Sequence, residues 1–242
     1  MIALHTFESL EAAVSLLYPP VCTICGGNVR AGEYLCNQCE AKAVRIVAPF
    51  CQKCSEPFEG SITSEFTCAN CAHRTIHFDA AVSAYRGRGM VREIIHEFKY
   101  GRQIHLRRLV ARWLHAALDD ERLRGRRFDI VVPVPLHATR LRERGFNQAS
   151  LLAALLSAQT SIPSKPLLER IRYTTTQTAL DRSERMENLH NAFRLRKNAD
   201  VRGLRVLLID DVLTTGSTLS ECARVLKRAG ALSVHAATAA RA

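Results

Sequence analysis

The sequence predicts an α/β fold, a parallel sheet with flanking helices, behind a small cysteine-rich segment. Three observations predict it. Short apolar runs at 128–132 and 206–209 suit strands buried on both faces of a parallel sheet. The second run leads through a loop of small hydroxyl residues into Leu219, Cys222, Ala223, Leu226 and Ala229 at helical spacing, stopped by Gly230. Eight of the nine cysteines fall between positions 22 and 71, in four Cys-x-x-Cys pairs. A chain of 242 residues holds one medium domain and one small one, divided here as 1–75 and 76–242.

At the start, Phe7, Leu10, Val14 and Leu17 mark one face of a short amphipathic helix closed by Pro19 and Pro20. Residues 1–20 contain Glu8 and Glu11 but no Lys or Arg, which makes a poor signal peptide and points to the cytoplasm. No apolar run approaches the ~18 residues of a membrane span. The cysteine pairs follow: Cys22/Cys25, Cys36/Cys39, Cys51/Cys54 and Cys68/Cys71. A two-residue gap lets both thiolates of a tight turn face one tetrahedral ion, and two such pairs close a four-thiolate zinc site. In a reducing compartment metal outweighs disulfides, and a redox pair would explain one knuckle rather than four. Two structural Zn2+ sites are therefore expected. Ten and thirteen residues separate sequential knuckles, short of the usual ribbon spacing of roughly 15–20, so interleaved pairing stands as an alternative. His73 and His77 read as bystanders.

Residues 78–85 read as a strand and Arg86-Gly-Arg-Gly89 as a turn. Met90, Ile94, Ile95 and Phe98 give a helical face ending near Gly101, and Leu106, Leu109, Val110, Trp113, Leu114, Ala117 and Leu118 a second. Arg92, Lys99, Arg102, Arg107, Arg108 and Arg112 read as the wet faces of these helices. After a charged connection at 122–127 and the strand at 128–132, Pro133 and Pro135 force a stiff exit. Arg140, Arg142 and Arg144 follow in a turn before a helix beginning near Asn147, where they and backbone N–H groups can gather an anion. The polar run to Asn191 reads as a mobile lid or a plain surface loop. Cys222 reads as a small core residue, and 232–238 as the closing strand.

Asp210 and Asp211 stand where the central strand should stop. The helix start beyond them offers unpaired N–H groups and the positive end of a dipole to a phosphate dianion. Gly216 permits close backbone approach, Thr214, Thr215, Ser217 and Thr218 add hydroxyl donors, and the two carboxylates can accept from vicinal hydroxyls. An ordinary capped turn needs one such hydroxyl and no doubled acid. Residues 1–75 hold five Lys/Arg and seven Asp/Glu, while 76–242 hold 29 and 16, so the net charge of +11 belongs to the second part. That surplus attracts polyanions, nucleic acid or a pyrophosphorylated substrate. The acidic head is a poor DNA-binding surface alone, and docking against the basic part fits its charge better.

Asp-Asp-Val-Leu-Thr-Thr-Gly-Ser-Thr at 210–218 closely resembles the phosphoribosyl-pyrophosphate (PRPP) signature of type I phosphoribosyltransferases. With Leu-Tyr-Pro-Pro-Val-Cys at 17–22, Phe-Lys-Tyr-Gly-Arg at 98–102, Pro-Val-Pro-Leu-His at 133–137 and Arg-Leu-Arg-Glu-Arg-Gly-Phe-Asn-Gln at 140–148, the chain resembles the ComF family of competence-associated proteins over nearly its whole length. The resemblance implies a double zinc-ribbon head on a type I phosphoribosyltransferase-like domain. It implies that Asp210 and Asp211 hold the ribose hydroxyls and that Thr214, Thr215, Gly216, Ser217 and Thr218 hold the 5′-phosphate. His137, Arg140 and Arg144 would form a pyrophosphate loop, the two arginines stabilising the leaving charge. Mg2+ would accompany PRPP, and Arg172, Gln177 and Arg185 would lie on a flexible lid. The implied function is transfer of a phosphoribosyl group to an acceptor, tied to natural transformation and DNA uptake, with other DNA-uptake proteins as partners. The alternative is a non-enzymatic protein that handles single-stranded DNA and reuses the fold.

Overall fold

The structure is a computed structural model and describes residues 19–62, 64–173 and 189–242. The expected N-terminal helix, Gln177 and Arg185 lie outside them. The chain packs as two units, Met1–Val44 and Arg45–Ala242. The composition changes near 75, but packing divides the molecule earlier, and the second group of cysteines falls in the larger unit.

Among the described residues the smaller unit holds knuckle turns and one helical turn, α1 (Asn37–Glu40). Its first knuckle is closed by Cys22 N donating to Gly27 O at 2.7 Å and tied to the strand-like return by Thr23 N donating to Tyr34 O at 3.0 Å. The larger unit opens with the second pair of knuckles, which contains α2 (Ala69–Ala72). There follow β1 (Ala81–Arg86), α3 (Gly89–Tyr100), α4 (Arg107–Ala116), β2 (Ile130–Pro133), α5 (Ala138–Arg144) and α6 (Gln148–Thr160). Further along, the described residues form β3 (Leu168–Arg170), β4 (Phe193–Leu195), β5 (Arg205–Leu213), α7 (Ser217–Arg228) and β6 (Ser233–Arg241).

Four strands form one parallel sheet in the order β1-β6-β5-β2. Parallel neighbours require crossover connections, which the helices supply, so both faces of the central strands are covered. Val206, Leu207, Leu208 and Ile209 are accordingly fully buried. The apolar stripe of α3, from Met90 to Phe98, is buried too, as are Trp113 and Cys222. β5 does not stop at the two acids. It runs on to Leu213 because β6 lies alongside to Arg241, with Asp210 opposite Thr238 and Leu213 opposite Arg241.

Two further departures from expectation have local causes. The stretch with three arginines is a helix rather than a turn: the His137 Nδ1 caps it by accepting from Thr139 N at 3.2 Å, and Gly145 ends it at φ 80°. β3 and β4 pair antiparallel. Strands of three residues leave too little alternation in the sequence to announce themselves.

The second group of cysteines is built into the sheet unit. Arg122, buried at 8% exposure, donates to Cys51 O and Gln52 O, each at 3.2 Å, and to Ser55 Oγ at 2.9 Å. Asp120 holds the guanidinium from behind at 2.7 and 2.8 Å. Ser55 Oγ in turn donates to Ala81 O and accepts from Ser83 N on β1. The expected connection at 122–127 is thus a buried tie between a knuckle and the sheet.

Candidate functional site

In a parallel α/β sheet, ligands bind outside the carboxyl ends of the strands. Here that edge carries Asp210, Asp211, the 214–218 loop, and the exit of β2 toward α5. Successive side chains along a strand point to opposite faces, so the two acids meet different neighbours. Asp211 is buried at 4% exposure, and its Oδ2 pairs with Lys99 Nζ, on the last turn of α3, at 2.9 Å. Burial opposes charge on Lys99, yet the facing Asp211 and Asp210 hold its pKa above the usual lysine value. Asp210 is half-buried, and its Oδ1 accepts from Asp211 N at 2.9 Å. Burial and then the neighbouring Asp211 push its pKa up to about 7, against the pull of Lys99. Asp210 therefore changes charge near neutrality.

Cationic side chains line the same edge. Arg170, at the end of β3, is within electrostatic reach of Asp210 and Arg140, and its burial lowers its pKa. Backbone bridging joins it to His137. Arg140 lies 5.7 Å from the Tyr173 ring and pairs with Glu143 at 3.0 Å, while the His137 ring is 5.3 Å from the same tyrosine. Arg144, one helical turn beyond Arg140, lies 4.7 Å from the Tyr100 ring and donates to its hydroxyl at 2.9 Å and to Gln148 Oε1 at 3.1 Å. Arg172 donates to His190 O at 3.1 Å beside the β3–β4 pair.

The loop after β5 enters α7 through Gly216, whose φ of +78° suits glycine and disfavours a residue with a Cβ. Thr214 is exposed, and Thr215 and Thr218 are half-buried. Thr215 Oγ1 and Ser217 Oγ lie 2.9 Å apart. The loop is also held from the knuckle side. Arg74 Nη2 donates to Ser217 Oγ at 2.9 Å, and Asn70 Nδ2 donates to Thr215 O at 3.2 Å.

The cysteines group as Cys22, Cys25, Cys36, Cys39 and as Cys51, Cys54, Cys68, Cys71, with the donor atoms of each group within 4.8 Å of one another. Pairing is thus sequential, and neither His73 nor His77 joins a group. The Cys25–Cys36 and Cys54–Cys68 sulfurs are 3.7 and 3.6 Å apart, close to the ~3.8 Å edge of a tetrahedron with 2.3 Å zinc–sulfur bonds. Both groups fit structural zinc, with all four thiolates of each used in holding the fold.

Sequence reasoning missed four residues of this edge: Lys99, Arg170, Asn70 and Arg74. A signal for Lys99 existed, because Val91, Ile95 and Lys99 recur every four residues and share one stripe of α3. Asn70 and Arg74 flank a metal knuckle, where cysteine spacing drew the eye away from their side chains.

A loop of small hydroxyl residues and an acid pair at the carboxyl edge of a parallel sheet, in a chain with two thiolate clusters, define a phosphoribosyltransferase-fold protein with a double zinc ribbon. Residues 13–72 match the double zinc ribbon domain family and residues 110–242 the phosphoribosyl transferase domain family. The chain is 33% identical to Competence protein F of Haemophilus influenzae over 86% of its own length and 91% of that protein's. It is 32% identical to the DNA utilization protein YhgH of Salmonella typhimurium, covering 91% and 96% of the two chains. Competence protein ComFC of Bacillus subtilis is 30% identical over 84% and 81%. Among solved structures it is similar to the B. subtilis glutamine PRPP amidotransferase, at 22% identity and a TM-score of 0.39, over 58% of this chain and 30% of that one. The chain belongs to the ComF family of competence-associated proteins.

Proposed function

We propose that the protein binds PRPP with Mg2+ at residues 210–218 and transfers its phosphoribosyl group, acting in the cytoplasm in the handling of incoming DNA. One observation carries the ligand reading: the half-buried Asp210 shares the carboxyl edge with the 214–218 loop and the start of α7. The names of the relatives, competence and DNA utilization, support the process and suggest single-stranded DNA and other uptake proteins as partners. Among the described residues no helix is long and apolar enough to cross a membrane.

In this reading the 5′-phosphate takes the N–H groups at the start of α7 and the hydroxyls of Thr214, Thr215, Ser217 and Thr218. Asp210 accepts from a ribose hydroxyl, and Lys99 pairs with the buried Asp211 beside it. The pyrophosphate goes to His137, Arg140 and Arg144. As its bond to the anomeric carbon breaks, positive charge grows on the sugar and negative charge on the leaving group. Asp210 offsets the first and the arginines the second, so no covalent nucleophile is required. The Asp210 carboxylate is the hard oxygen donor that would hold Mg2+, Asp211 being committed to Lys99, and the ion would supply charge neutralisation to the leaving group. Arg172, Gln177 and Arg185 are proposed to close over the substrate.

Calorimetry on zinc-replete protein with PRPP and Mg2+ tests this. Saturable binding is expected, weakened at least about tenfold in Asp210→Asn, followed by pyrophosphate release with the right acceptor. Absence of binding sinks the proposal. Handling of DNA alone predicts affinity that falls steeply with salt and ignores Asp210→Asn.

A further inference from the structure

We propose that Asn70 and Arg74, carried on the second cysteine knuckle, are part of the phosphate-binding loop, so that its grip on a sugar phosphate depends on that knuckle's metal. This role presupposes the sugar-phosphate ligand proposed above and adds the residues and the cofactor dependence of its site. Asn70 lies on α2, between Cys68 and Cys71, and Arg74 follows three residues after Cys71. Both reach the loop directly. Arg74 Nη2 donates to Ser217 Oγ at 2.9 Å, and its Nη1 lies 3.5 Å from Thr215 O and 2.5 Å from Asn70 Oδ1. Asn70 Nδ2 donates to Thr215 O at 3.2 Å, and His77 N donates to Ser220 Oγ at 3.1 Å one turn along α7.

The chemistry of the donors gives these contacts a direction. Arginine only donates, so Ser217 Oγ must accept from it, and a hydroxyl has a single proton. Thr215 Oγ1, 2.9 Å from Ser217 Oγ, receives Ser217 N at 3.4 Å, and either hydroxyl of the pair can donate to the other. With Arg74 on one of its lone pairs, Ser217 keeps its own proton, and an anion in the loop can take it in place of Thr215 Oγ1. The guanidinium adds a fixed positive charge behind the same hydroxyl. A charge held by a metal-braced turn loses less freedom on binding than one on a loose side chain. A cavity of about 500 Å³, lined in part by Asn70, Thr214, Thr215 and Arg241, opens beside these groups.

The test uses the zinc-replete full-length chain and ribose 5-phosphate as the probe, read by calorimetry. Arg74→Met is expected to weaken binding about 10- to 100-fold, Arg74→Lys to recover part of the loss, and Asn70→Ala to cost less. All three should keep zinc at both clusters and cooperative melting. Cys68→Ser, in the second cluster, should weaken the same binding, whereas Cys25→Ser, in the other unit, should leave it unchanged. If wild-type protein binds and Arg74→Met binds equally well, or Cys25→Ser weakens binding as much as Cys68→Ser, the role assigned to the knuckle is overturned. If wild-type protein does not bind ribose 5-phosphate, the ligand reading falls first and this role falls with it. Should Cys68→Ser fail to fold, cobalt-substituted protein decides: ribose 5-phosphate should shift the cobalt–thiolate absorption of the second cluster in wild type and not in Arg74→Met, and no shift in wild type overturns the metal dependence.

Discussion

Lys99 and the two acids it faces form a small charge system whose balance is set by burial. Asp210 has its pKa pushed up to about 7 by desolvation and by Asp211, and Lys99 opposes that push. Replacing Lys99 with Met should therefore move the pH midpoint of the proposed PRPP–Mg2+ binding to higher pH, measured by calorimetry across the neutral range. The same raised pKa has a stability sign. The folded state keeps a proton that the unfolded chain releases, so Asp210's contribution is fully present below about pH 4 and lost as pH rises through about 7. Asp210→Asn should accordingly be more stable than wild type at about pH 8, by on the order of 1–2 kcal/mol, and show no such gain at about pH 4. Denaturant melts at the two pH values check this. The acid doublet was legible because two carboxylates after four buried apolar residues have no packing rationale. Its division between two faces was not, since the strand's length depends on β6 running beside it.

At the scale of elements, the tie from Arg122 decides how the second knuckle joins the sheet. Its donors satisfy carbonyls of Cys51 and Gln52 and the Ser55 hydroxyl, and Asp120 balances its charge. Truncation to Ala would leave Asp120 and these acceptors without their shared partner. A loss of about 3 kcal/mol or more is expected, as for other broken buried pairs, read by urea denaturation. Another tie holds the far end of the β3–β4 stem to α7. Asn191 N donates to Glu221 Oε1 at 2.8 Å, and Arg224 donates to Asn191 Oδ1 at 3.0 Å. α7, which begins after the 214–218 loop, is thus also tied to Asn191 just before β4. Periodicity announced the long helices and the central strands. These ties went unannounced because each is made of polar residues distant in sequence, for which a linear pattern carries no signal.

Across the whole molecule, fold class and cysteine chemistry were the most legible features, because both repeat: apolar runs between helical stripes, and four knuckles of equal spacing. The packing division was less so. Composition changes near residue 75, yet the larger unit begins at Arg45, since three-dimensional ties ignore the balance of charge along the chain. The two clusters differ in shelter. Cys25 is exposed and Cys36 half-buried, whereas all four cysteines of the second cluster are buried. A chelator should therefore draw zinc in two phases, the first without loss of the sheet's circular-dichroism signal and the second with it.

Dissection of the chain is where the buried arginine has its practical consequence. A fragment starting at residue 76 would keep every strand and helix of the sheet, yet its guanidinium at position 122 would face empty space where a turn used to be. A fragment starting at Arg45 brings that turn along. Only the longer piece should refold unaided and carry one equivalent of metal, and limited proteolysis of the intact protein should nick it near 44 rather than near 75.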